Sequence, residues 1–342
     1  MVQPIILLKN KKEVKMVTIK DIANKSGVSV GSISRYLNGV HLKKANEEKI
    51  QQAIKELHYI PNQTAKALKM NKSFSIGILV DNMDNFYSSQ LLAALEQLFD
   101  QAGYFLLLTS HRNDKETFEY KLKKLIERSV DALIILKAET KWDAFQEVGQ
   151  VGIPVISVEA SLADKSVPEI LSADQQASQE VVERMLKKRK KTAFIIPTES
   201  DYVLQQRLAG INAACKKMSV EISSDQIIYV DYGTTEAYEA VSELIKNGFD
   251  SIFVTNYTNA IQVVEGIRDA GMEVGTQIAV AGFGYSHLLQ NMKLPITLIK
   301  QPVDKIAEKV ADSTLKLLDN QEVDKQVFIQ DKIFWQKELE NE

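Results

Sequence analysis

Apolar positions recur along this chain in two rhythms. Between Val17 and Leu57 they fall three and four residues apart, the period of helices with one buried face. Ile19, Ile22 and Ala23 mark a first helix opened by a Thr18-x-x-Asp21 capping box. A turn at Ser26-Gly27-Val28 leads to Ser29, which caps a second helix. Its inner face carries Ile33 and Leu37, while Val30, Gly31, Ser32, Ser34 and Arg35 fall on its front and outer sides. A third helix is expected from about Asn46, with Ile50, Ala53, Ile54 and Leu57 on one face. It ends at His58-Tyr59-Ile60-Pro61-Asn62, where Tyr59 and Ile60 are expected to pack the small domain and Pro61 halts the helix. Asn62 can cap a further short helix that places Ala65 and Leu68 on one face.

From Ser75 the rhythm changes to short apolar runs separated by helical patterns. The runs are Ile76–Val80, Tyr104–Leu108, Ala132–Leu136, Pro154–Val158, Thr192–Ile196, Ile227–Val230, Ser251–Val254, Ile278–Ala281 and Thr297–Ile299. Runs buried on both faces and joined through helices mean parallel sheets. Their number is too great for one comfortable doubly wound sheet, so two lobes are expected.

Composition adds bounds. The 342 residues are enough for several packed units, and 45% hydrophobic with 25% charged residues is ordinary for a globular chain. The single cysteine, Cys215, excludes an internal disulfide framework and a cysteine-rich zinc site. His41, His58, His111 and His287 lie without metal-ligand spacing, and no phosphate loop or Ser/His/Asp arrangement stands out. No enzyme activity, cofactor or metal is therefore expected. No run approaches the ~18 apolar residues of a membrane helix. The apolar run Pro4–Leu8 precedes its lysines, the wrong order for a secretory signal, so a reducing cytoplasm is expected.

Charge is unevenly spread. Residues 1–72 hold thirteen lysines and one arginine against five acids, a surplus of nine. The whole chain is −3, which leaves −12 on the remainder. A basic head beside an acidic body suits binding to a phosphate backbone, because cations on the head release condensed counterions from the duplex. A helical hairpin used only for packing would not explain why the surplus coincides with the helix-turn-helix.

The words V-T-I-x-D-I-A at Val17–Ala23, G-V-S at Gly27–Ser29, S-R at Ser34-Arg35 and L-x-Y-x-P-N-x-x-A-x-x-L from Leu57 to Leu68 resemble the lac repressor family of bacterial transcription regulators. The resemblance continues more thinly to about residue 320. It implies an N-terminal all-α helix-turn-helix domain plus an α/β periplasmic-binding-protein-like domain of two doubly wound lobes. The expected layout is an extension over 1–16, a DNA-binding domain over 17–62, a hinge helix and linker over 63–74, and an effector-binding and dimerisation domain over 75–342. Lobe one would take 75–173 and 302–325, lobe two 174–300 and 327–342, with crossovers near Ala173, Gln301 and Gln326. Two readings of the extension stand: Met16 is the true start, or residues 1–15 form a flexible basic arm.

The resemblance also implies roles residue by residue. Val30, Gly31 and Arg35 would face bases, although Gly31 has no side chain. Arg35 would carry most of the discrimination through guanine. Thr18, Ser29, Ser32 and Asn38 would meet phosphates, which position without specifying. Leu68, beside Ala65 on the hinge helix, would wedge into the minor groove. One such helix is too short to stand alone in water, so two copies and a palindromic operator are implied. No leucine heptad follows Asn320, which favours a homodimer over a zipper-joined tetramer. In the third helix Lys43 and Asn46 depart from the family's Ser and Thr.

For the cleft between the lobes, the matching positions are Phe86, Tyr87, Asp174, Arg207, Tyr232 and Asn256. Phe86 has helix packing as an alternative role, and Arg207 has pairing with a neighbouring acid. Two acidic positions of the family are lost: Tyr257 follows Asn256, and Gly284 stands in Gly282-Phe283-Gly284-Tyr285. A cleft that keeps Arg207 and loses those acids suits an anionic effector such as a sugar acid. The expectation is a repressor of a carbohydrate operon released by its effector. The alternatives are a regulator answering to a protein partner or freed from small-molecule control, and a solute-binding protein.

Overall fold

A computed structural model describes residues 17–37, 39–60, 72–138, 142, 152–162, 164, 166–198, 201–231, 233–284 and 294–340. The chain divides into two compact units, 1–71 and 72–342.

Among the described residues, the first unit holds three helices, α1 (Ile19–Ser26), α2 (Val30–Leu37) and α3 (Lys44–Leu57). Thr18 and Asp21 close the capping box at the start of α1, and Gly27 stops it in the left-handed conformation at φ 68°. Ser29 Oγ accepts from the Ser32 amide at 3.3 Å and so opens α2. α3 starts two residues before Asn46, after Lys43, which makes no side-chain cap. Ile22, Ile33, Ile50, Ala53, Val28 and Tyr59 form the core. Gln51 Nε2 donates to the Tyr36 hydroxyl at 2.8 Å, and Lys25 pairs with Glu56 at 2.8 Å, so α3 is tied to both other helices. Ile60 is 83% exposed and does not pack this domain, contrary to the sequence expectation.

In the second unit the first lobe holds a six-stranded, wholly parallel sheet in the order β11-β5-β4-β3-β1-β2. Its strands are β1 (Ser75–Val80), β2 (Phe105–Ser110), β3 (Ala132–Leu136), β4 (Val155–Val158), β5 (Glu169–Ser172) and β11 (Gln326–Ile329). Along β1, Ile76, Ile78 and Val80 enter one core layer and Leu79 the opposite one, as the two-residue period of a doubly covered strand requires. Helices α4 (Phe86–Gln101), α5 (Lys115–Glu127) and α10 (Val303–Leu318) cover this lobe.

The second lobe repeats the design in the order β12-β10-β9-β8-β6-β7, with only β12 antiparallel. The strands are β6 (Thr192–Pro197), β7 (Ile227–Val230), β8 (Ser251–Val254), β9 (Ala279–Phe283), β10 (Thr297–Lys300) and β12 (Lys332–Phe334). Its helices are α6 (Asp174–Lys188), α7 (Tyr202–Lys217), α8 (Glu236–Lys246) and α9 (Tyr257–Asp269).

The chain passes between lobes three times: after β5, after β10, and between β11 and β12. The third passage falls at Gln330-Asp331 rather than near Gln326. Periodicity misses β5, β11 and β12, which flank the first and third crossovers. β2 is not buried on both faces as expected. It is an edge strand with Phe105 71% and Leu108 45% exposed. Among the described residues no helix is long and apolar enough to cross a membrane.

Candidate nucleic-acid interface and effector cleft

Thr18, Ser29, Val30, Gly31 and Arg35 are exposed and Ser32 is half-buried. α2 buries Ile33 beneath them, so the candidate base-reading residues share a helix whose opposite side is locked in the core. Thr18 is also structural: its hydroxyl donates to Asp21 Oδ2 at 2.7 Å and its oxygen accepts from the Asp21 amide at 3.4 Å. A Cβ added at Gly31 would meet nothing within 4 Å. This glycine is therefore not demanded by packing. Asn38, Ala65 and Leu68, with the expected hinge helix, lie outside the described residues.

The cleft lies between the lobes of the second unit, a cavity of about 480 Å³. Phe86, Tyr87, Arg207 and Asn256 all line it, together with Lys137, Tyr257, Lys300 and Asp304. Two helix starts face it. Asn85 caps α4, accepting from the Tyr87 amide at 3.0 Å, and Asn256 caps α9, accepting from the Asn259 amide at 2.9 Å. With Asn256 Oδ1 so engaged, its Nδ2 is enclosed and has no hydrogen-bond partner among the described residues. Tyr232 lies outside the described residues.

Arg207 combines both roles weighed for it. Nε donates to Asp174 Oδ2 at 2.5 Å, Nη1 donates to the Thr255 carbonyl, and the guanidinium lies 3.6 Å over the Phe283 ring. No hydrogen bond from Nη2 occurs among the described residues. Asp174 does not line the cavity; it stands behind Arg207 as its counter-charge. The pairing depends on a close helix contact. A Cβ on Gly210, one turn after Arg207, would lie 2.6 Å from Ser178 Cβ and would collide with the Gln175 carbonyl on α6.

Behind the cavity stands an acidic cluster that the sequence reading missed. The Tyr87 hydroxyl donates to Glu159 Oε1 at 2.8 Å. Ser172 Oγ lies 2.6 Å from Asp174 Oδ1 and 3.0 Å from Glu159 Oε2, and it accepts from Gln301 Nε2 at 3.2 Å. One hydroxyl proton cannot serve two carboxylates. A protonated Glu159 solves this, donating to Ser172 Oγ while Ser172 donates to Asp174. Burial, then the nearby Asp174 charge, pushes Glu159 up to about 7. Asp331, at the third crossover, is raised to about 9 by burial and by Asp174 and Glu159, against the opposing pull of Arg207. A neutral Asp331 can donate its proton to Asp174, and that hydrogen bond also favours its protonated form. The cluster thus joins the crossovers at Asp174, Gln301 and Asp331.

Lys137 and Glu159 directly follow the adjacent strands β3 and β4, and both adopt the left-handed conformation, at φ 50° and 53°. Non-glycine residues held there mark a constrained site. Lys137 Nζ lies 3.4 Å from Asp81. Burial works to lower the lysine's pKa, but the charges of Asp81, Asp201 and Glu159 together outweigh it and the pKa is raised. The signal that would have located both residues is their position, because ligands of parallel sheets gather at the carboxyl ends of strands.

Residues 18–62 match the family described as bacterial regulatory proteins, lacI family, and residues 73–338 match the periplasmic binding proteins and sugar binding domain of the LacI family. The HTH-type transcriptional regulator MalR of Clostridium butyricum is 27% identical over 91% of this chain and 96% of its own length. The ribose operon repressor of Escherichia coli K12 is 28% identical over 87% of this chain and 92% of its own. The crystal structure of the lac repressor dimer bound to operator and an anti-inducer superposes with a TM-score of 0.85 at 23% identity, covering 95% of this chain and 99% of that one. With a helix-turn-helix at its start and a two-lobed cleft over most of its length, this chain belongs to the LacI family of DNA-binding transcription regulators.

Proposed function

We propose that the protein is a repressor of a carbohydrate-utilisation operon, and that an oxygen-rich small molecule, a sugar or sugar acid, binds in the 480 Å³ cleft and releases it from DNA. The observation that carries this reading is the pair of donors left over at the cleft, Asn256 Nδ2 and Arg207 Nη2. Asn256 Nδ2 is a buried donor without a partner among the described residues, which is costly, and hydroxyl or carboxylate oxygens of a ligand would satisfy it while also meeting Arg207 Nη2. Among the described lining residues Lys137, Arg207 and Lys300 stand with one acid, Asp304, which favours an anionic ligand, although Asp81 and Asp174 balance Lys137 and Arg207 from behind and Lys300 has a partner of its own. The ribose operon repressor, a relative over most of this chain, carries a sugar in its name.

On DNA, Arg35 reads guanine in the major groove, Val30 meets a thymine methyl, and Thr18, Ser29, Ser32 and Asn38 hold phosphates. Ala65 and Leu68 supply the minor-groove contact. The layout proposed is 1–16 extension, 17–62 DNA-binding domain, 63–74 hinge and 75–342 effector domain. A second copy pairs along the edge strands, where Phe105 and Leu108 of β2 and Tyr229 of β7 stand exposed. Its place is the cytoplasm, with the DNA.

The test is fluorescence anisotropy on a palindromic operator fragment from the chain's own gene neighbourhood, with titration calorimetry of neutral and acidic sugars. Arg35→Ala should weaken specific binding by about 1–3 kcal/mol while leaving non-specific binding nearly unchanged. Equal loss on all sequences would refute base reading by Arg35. Binding of neutral sugars alone would refute the anionic preference.

A further inference from the structure

Phe86 is the first residue of α4 in lobe one, and Tyr257 is the first residue of α9 in lobe two. Their rings stack across the cleft with centroids 4.8 Å apart and planes within 14°. Both helix starts are pinned by asparagine caps, so the backbone sets where each ring stands. Opposite them, a Cβ on Gly284 would lie 2.6 Å from both Cβ and Cδ2 of Tyr257, and Gly284 sits at φ 114°. A side chain at 284 would therefore meet the Cα and Cβ of residue 257 as well as the Tyr257 ring, so the close approach of the two backbones requires glycine there, and the backbone conformation favours it too. The two lost acidic positions of this cleft thus stand in direct contact, and where the family has hydroxyl-accepting carboxylates this cleft has an aromatic pair beside a bare backbone.

We propose that Tyr257 is a tethered occupant of the effector cleft. Stacked on Phe86, it holds the lobes together without any small molecule and denies the Phe86 face to every effector that does not displace it. The proposal rests on the reading of this cavity as the effector site. An effector then engages the Arg207 and Asn256 end, or acts by parting the two rings. Aromatic pairs of this geometry shift an equilibrium about 2- to 12-fold beyond the effect of area alone.

The test is a spin-label distance measurement across the lobes of the full chain, free of DNA and of ligand. Labels go on the exposed sites Lys123→Cys and Glu265→Cys, in a Cys215→Ala background. The parent should show one dominant short distance. Tyr257→Ala and Phe86→Ala, one in each lobe, should each raise the ratio of long to short distances about 2- to 12-fold, and the double variant should add little to either. Tyr257→Phe, which keeps the ring, should match the parent. Circular-dichroism melts check that each variant is folded. Unchanged distances in both single variants, or strictly additive effects in the double, would overturn the proposal. Because the readout needs neither operator nor effector, its failure is distinct from failure of the repressor reading, which shows instead as loss of operator binding.

Discussion

In the helical unit, Val30 and Arg35 stand exposed on α2, and eight consecutive residues with one buried isoleucine are enough to place them. In the two-lobed unit, Arg207 reaches Asp174 across 33 positions of sequence and the Thr255 carbonyl across 48. The first site is written in a local period; the second exists only after two sheets have formed and three crossovers have met. Damage should therefore spread differently in the two. A head residue fails with its own small core, whereas a cleft residue fails through partners left behind without it.

The largest expected effect is in the body. Arg207→Ala leaves Asp174 buried without its cation, and loss of one partner of a buried pair costs about 3–5 kcal/mol. Calorimetry should show the body transition falling and the head transition unmoved; a body shift below about 1 kcal/mol would mean that Asp174 takes up a proton instead. Next comes Ile33→Ala, which opens a cavity in the small helical core at about 3 kcal/mol. Here the head should melt out while the body keeps its transition. If both transitions move together in either variant, the contrast between the two units fails.

The smallest of the three is a dependence on pH. Glu159 is raised from 4.5 to about 7 and Asp331 from 3.8 to about 9, so the folded body binds more protons than the unfolded chain between those limits. The stability this gives is fully present below about pH 4 and is lost as pH rises through 7 and then 9. Glu159→Gln should flatten the part of that loss between pH 5 and pH 8 by about 2 kcal/mol in urea titrations. The head has no buried carboxyl among its described core residues, so its transition should show no such slope.

Legibility in the sequence follows the same contrast. The capping box at Thr18, the left-handed Gly27 and the cap at Ser29 were readable because each is settled by residues within four positions. Strands β1, β3, β4, β6, β8 and β9 were readable from apolar runs. Strands β5, β11 and β12 were not: β5 and β11 pair with each other across the whole second lobe, and β12 turns back antiparallel on β10 after the third crossover. In the cleft, Arg207 and Asn256 were legible by resemblance, whereas Glu159 and Asp331 were hidden. A lone acid after an apolar run looks like any surface acid until folding buries it. Tyr257 and Gly284 were visible as departures, but that the two positions touch is a fact of space, not of pattern.

Gly210 carries a consequence for how this regulator can vary. It touches no ligand and holds no charge, yet it sets the spacing of α6 and α7 on which the Arg207–Asp174 contact depends. A mutational screen for variants deaf to the effector should therefore recover position 210 alongside the cavity wall. The cleft's charge balance is heritable through a residue that has no side chain with which to take part in it.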